Sequence, residues 1–132
     1  MNAGLVLATH IVAVASTLAT LALMVWAMTF SWSGLGFVLG LMAWCVSPYV
    51  PLAFAAGRMH ASRAGAIALL VTTLVVAGAA GIAYVDTFFI HLDAQGALIL
   101  IFMPVWQWVG ALVGLVVASL LASRARPPHG LA

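Results

Sequence analysis

The residues of this chain with chemical potential are few, and they fall in three places. Asp86, His91 and Asp93 share one short connection, where two carboxylates and an imidazole form a donor set for a divalent metal. His10 lies inside the first apolar run, where an imidazole could ligate a haem iron within a bilayer. Ser16, Thr17, Cys45, Ser47, Thr72, Thr73 and Gln107 carry hydroxyls, a thiol and an amide into otherwise apolar runs. Neutral donors and acceptors of that kind suit the recognition of an uncharged solute.

Each set has a plainer role. His91 and Asp93 are two residues apart and do not share a helical face, and no fourth ligand stands beside them. Asp93, alone or with Gln95, is instead placed to cap the helix that follows. Transmembrane haem takes two facing histidines, whereas His60 and His129 fall in a connection and in the tail. His10 is therefore expected to hydrogen-bond a neighbouring helix or interfacial water. Serine and threonine hydroxyls bond back to their own helix, and glutamine ties helices together for about 1 kcal/mol or less. The single cysteine, Cys45, excludes an intramolecular disulfide and a thiol pair. A Ser/His/Asp set would have to be drawn from opposite ends of the molecule. No catalytic residue, metal or cofactor is expected.

The elements that hold these residues follow from composition. The chain is 67% hydrophobic and only 5% charged, which is too few charges to keep a water-facing surface soluble. Lipid is the expected solvent. Four apolar runs, 5–28, 34–56, 64–85 and 97–122, contain no formally charged residue, and each matches the roughly 20 helical residues that cross a bilayer core. Barrel strands would be about ten residues long with strict alternation, and nothing here alternates. The expected fold is all-α: one domain, 1–126, of four transmembrane helices in an up-down antiparallel bundle, followed by a disordered tail, 127–132. Short connections predict that sequential helices lie side by side.

Charge sets the orientation. Arg58, Arg63, Arg124 and Arg126 all fall on one side of a four-span arrangement, and Asp86 and Asp93 on the other. The positive-inside rule then puts the arginines and both termini in the cytoplasm. Each arginine pair flanks an apolar run rather than forming a basic patch, which argues against nucleic-acid binding. The aromatic residues Trp26, Phe30 and Trp32, and Tyr84, Phe88 and Phe89, are expected at the outer headgroup level. The chain looks like a small protein of a bacterial inner membrane, and its all-arginine, alanine-rich composition suggests a GC-rich genome.

Within the spans, Gly36 with Gly40 and Gly110 with Gly114 have the four-residue spacing that lets helices pack closely. Pro48, Pro51 and Pro104 are expected kinks, and the first two leave the carbonyls of Trp44 and Ser47 without their usual partners. Counting inward from the helix ends places Thr17, Cys45, Ser47, Thr72 and Gln107 at one depth, a candidate midplane polar layer. No acid or base sits in any span, and ion-coupled transport usually needs one there. Small multidrug exporters carry a glutamate in the first helix; this chain has only His10 and hydroxyls in that run. The expected function is a non-catalytic accessory or scaffold subunit, in contact with membrane lipid and packing against itself or another membrane protein. The rival is a small transporter or channel subunit for a neutral or weakly charged solute.

Overall fold

The computed structural model describes residues 2–28, 31–91 and 96–125. Every regular element among them is helical: α1 (Ala3–Ala27), α2 (Leu35–Val46), α3 (Tyr49–Ala56), α4 (Arg63–Val85) and α5 (Ile99–Arg124). Three of these, α1, α4 and α5, are long and apolar enough to cross a membrane, and a fourth crossing results if α2 and α3 count as one bent span. Phe30, Asp93, Gln95, Arg126 and the tail 127–132, for which capping, interfacial or disordered roles were expected, lie outside the described residues.

The apolar run 34–56 is broken into two helices that meet at 42°. Pro48 and Pro51 cause the break, because their missing N–H groups cannot bond the carbonyls of Trp44 and Ser47. Both carbonyls find other donors nearby. The Ser47 hydroxyl donates to the Trp44 carbonyl at 2.8 Å, and the Val50 N–H donates to the Ser47 carbonyl at 3.3 Å. Pro104, by contrast, sits inside the continuous helix α5. The carbonyl it deprives is that of Leu100, and the Cys45 thiol of α2 donates to it at 3.2 Å. Each proline thus removes a backbone bond that a neighbour replaces.

At the start of α4, Ser62 adopts an extended backbone and its hydroxyl accepts from the Gly65 N–H at 3.1 Å, which caps the helix. The other end of α4 runs into a π turn, Asp86–Ile90, closed by His91 N–H donating to the Asp86 carbonyl at 2.7 Å.

Helices joined by a connection pack on each other, α1 on α2, α3 on α4 and α4 on α5, and further contacts cross between them. α5 makes its most extensive contact with α4, and α2 packs on α5; α1 packs on α4 and α3. The bent pair packs on α1 and α5 through both of its halves and on α4 through α3, and the buried Leu41 and Cys45 of α2 join a core with Ala80 and Tyr84 of α4. At one end of the bundle Asn2 donates to the His60 carbonyl at 3.0 Å, and the start of α4 at Gly65 lies against Ala118 and Ala122 of α5. At the opposite end Trp26 stacks on Phe89 with ring centroids 4.9 Å apart.

Large apolar side chains point outward along the helices, among them Leu18, Phe54, Ile82 and Trp106. Trp32 is 94% exposed, whereas Tyr84, expected beside it at the headgroup level, is only 4% exposed and faces the interior.

Candidate functional site

A cluster of polar side chains lies inside the bundle, drawn from every helix. Ser16 and Thr20 come from α1, Cys45 from α2, Tyr49 from α3, Tyr84 from α4 and Gln107 from α5. Helical spacing puts Ser16 and Thr20 on one face of α1, and Tyr49 follows Pro48 just past the bend. The Gln107 amide donates to the Tyr49 hydroxyl at 2.9 Å, and the hydroxyls of Thr20 and Ser16 lie beside that same oxygen. The Tyr84 hydroxyl sits beside the Cys45 sulfur, a weak acceptor.

Two atoms of this cluster are left over. The Tyr84 hydroxyl and Gln107 Oε1 are buried and have no hydrogen-bond partner among the described residues. An unpaired buried polar atom costs about 1–3 kcal/mol, and such atoms in a native structure ask for an explanation. Beside the cluster, between α1 and α4, is a half-open cavity of about 250 Å³ whose wall includes Ser16, Thr20, Tyr49 and Tyr84. The rest of its lining is aliphatic or glycine, and among the described residues no charged side chain lines it.

The candidate polar layer is only partly gathered here. Cys45 and Gln107 belong to the cluster, whereas Thr17, Ser47 and Thr72 point elsewhere. Thr17 donates back to the Ala13 carbonyl and Thr72 to the Ala68 carbonyl, each at 2.8 Å, as does the buried Thr73 to Leu69. Ser47 lies on the other side of the bent pair, where its hydroxyl oxygen also accepts from Trp108 Nε1 at 2.9 Å. Equal depth counted along the helices is not equal direction, and the hydrogen bonds of these three residues lie outside the cluster. Tyr49, Thr20 and Tyr84 are the members that sequence reasoning missed. A usable signal existed: a tyrosine inside an apolar run must find a partner for its hydroxyl.

The glycine pairs also divide. Gly110 and Gly114 pack α5 against α4, since a Cβ on Gly110 would lie 3.2 Å from Val76 and one on Gly114 would collide with the Thr72 side chain. Gly36 and Gly40 do not pack against any of the described residues: a Cβ built on either meets nothing within 4 Å. Both face outward on α2.

Of the histidines, His10 donates from Nδ1 to the Val6 carbonyl of its own helix at 2.8 Å, rather than to a neighbouring helix. His91 Nδ1 and Asp86 Oδ1 are 2.8 Å apart on the exposed surface. Among the described residues no three or more His, Cys, Asp or Glu side chains group as a metal site.

No family model, curated protein or solved structure matches this chain. Its chemistry is therefore read from the cluster itself, whose hydroxyls, amide and thiol donate and accept hydrogen bonds and carry no fixed charge.

Proposed function

We propose that this chain is a multi-pass protein of a bacterial inner membrane, with four spans in which α2 and α3 together make one crossing. It serves as a non-catalytic accessory subunit that docks helices of its own kind or of a larger membrane complex. The observation that carries this reading is the outward face of α2. Gly36 and Gly40 leave a shallow groove one turn apart with nothing seated in it, between the exposed side chains of Phe37 and Leu39. In lipid there is little hydrophobic force between helices, so association depends on close backbone approach, which small residues permit.

Several observations support the membrane setting. The outward surface is apolar along each helix, and the charged residues Arg58, Arg63, Arg124 and Asp86 fall at helix ends or in connections. The arginines gather at the end where Asn2 meets His60, and Asp86 is at the end of the Trp26–Phe89 stack. Arg58 lies over the Phe54 ring, 4.3 Å from its centroid, which holds the guanidinium at the edge of the apolar surface. Cytoplasmic termini follow from that asymmetry.

In the experiment that tests this, the chain should stay with the membrane pellet after alkaline extraction. A cytoplasmic reporter fused at Arg63 should be active and one fused at Ser33 silent. On native gels of detergent-extracted membranes, Gly40→Leu should dissolve the assembly while the protein level and melting temperature stay at the wild-type value. An unchanged gel pattern in both Gly36→Leu and Gly40→Leu would remove the docking role.

A further inference from the structure

We infer that the cavity between α1 and α4 is a binding site for a neutral, lipid-soluble molecule that presents a carbonyl oxygen to the Ser16, Thr20 and Tyr84 hydroxyls. The site rests on the membrane-embedded reading but not on the docking role of α2, which lies on another face.

The hydroxyls decide the ligand's polarity. Thr9, Thr17, Thr72 and Thr73 each give their proton to the carbonyl four residues back in their own helix. Ser16 and Thr20 make no such bond among the described residues; they stand instead beside the Tyr49 oxygen at the cavity wall. Tyr49 already accepts from Gln107, and the Tyr84 hydroxyl has no partner better than the weak Cys45 sulfur beside it. Gln107 Oε1, the other orphan, is not on the cavity wall, so the group left to satisfy there is the Tyr84 hydroxyl, and a ligand carbonyl accepts its proton. A carboxylate or an ammonium is disfavoured, because no opposite charge lines the cavity to offset its desolvation.

Size and opening decide the rest. At about 250 Å³ the cavity is smaller than pockets that enclose a whole drug-sized molecule. It accepts a ring or a short head group, and the remainder of the ligand must leave by the side. The rim there is built of small residues, Ala19 of α1 and Gly81 of α4, both exposed. In the proposed setting this rim faces the acyl chains, so the ligand enters from the bilayer. A quinone ring and the ester end of an acylglycerol both have this chemistry.

The test is equilibrium binding to the detergent-purified full chain of three probes: a short-chain 1,4-benzoquinone, a monoacylglycerol and an alkane of equal length with no carbonyl. Saturable one-to-one binding of one carbonyl probe, with none of the alkane, is expected, and the probe that binds names the source. Gly81→Leu fills the rim without an intramolecular clash, since an added Cβ meets nothing within 4 Å, and should weaken binding at least about tenfold. Tyr84→Phe should weaken it by about tenfold, the worth of one hydrogen bond, while raising the melting temperature of the ligand-free protein. That pairing of weaker binding with a more stable protein is one that a structural role for Tyr84 does not produce. No saturable binding of either carbonyl probe, equal binding of the alkane, or unchanged affinity in both variants would overturn the site. Should Gly81→Leu not fold, Thr20→Val replaces it. Membrane extraction, read separately, shows whether a failure belongs to this site or to the membrane reading beneath it.

Discussion

Gly114→Leu should abolish folded protein, and even Gly114→Ala should lower stability by about 1–3 kcal/mol or more, the usual range for forcing extra carbon into a packed contact. A Cβ at this position collides with Thr72 Cγ2 and Oγ1, and Thr72 Cβ itself would stand only 2.6 Å away. Thr72 cannot easily swing aside, because its hydroxyl is bonded to the Ala68 carbonyl. α5 must then move off α4, and that is the most extensive contact in the bundle. Thermal melts in detergent check the size of the loss. The pair Gly114→Ala with Thr72→Gly should recover most of it, whereas Thr72→Ala should recover less because its Cβ remains. Simple additivity in that cycle would mean that the two residues do not touch.

Ser47→Ala has the second largest expected effect, a loss of about 1–3 kcal/mol, because Trp108 Nε1 is orphaned and the Trp44 carbonyl keeps only the 3.3 Å bond from the Ser47 N–H. One hydroxyl holds both: it donates to the Trp44 carbonyl that Pro48 leaves free, and it accepts from Trp108 Nε1. In water such groups would turn to solvent. In hydrocarbon they have nowhere to turn. Ser47→Thr keeps the oxygen and should melt close to wild type. Cys45→Val should be destabilising by the same logic, through the Leu100 carbonyl, and Cys45→Ser should be tolerated. Equal melting temperatures for Ser47→Ala and Ser47→Thr would show that the bend needs no such repair.

The limits of the helices were legible in the sequence, while the directions in which their side chains point were not. The runs 5–28, 64–85 and 97–122 lie within two residues of α1, α4 and α5, because the length of an uncharged apolar stretch is fixed by covalent order alone. Facing is a different matter. A helix with lipid outside and packed side chains inside is apolar all round, so the usual contrast between a wet and a dry face is missing. Depth could be counted, and it put Thr17 and Thr72 level with Gln107; rotation about the axis could not, and those two threonines turned back to their own helices. The Gly110–Gly114 and Gly36–Gly40 pairs illustrate the same gap. Identical spacing serves internal packing in one case and an open face in the other, and only the placement of α5 against α4 distinguishes them. Tyr84 escaped notice for a further reason: aromatics near helix ends are common at interfaces, and its position resembled that of Trp26 and Phe89.

The bend between α2 and α3 also partitions the interior. Beyond Pro48, toward the arginine end, Tyr49, Leu52 and Ala56 join a large apolar core with Ala13, Leu69 and Ala118. Before it, Leu41 and Cys45 join a smaller one with Met24, Ala80, Tyr84 and Leu100. Two cores of unequal size, hinged at one crossing, need not loosen together. The cavity lined by Tyr49 and Tyr84 lies where the two cores meet, so a guest seated there would touch both.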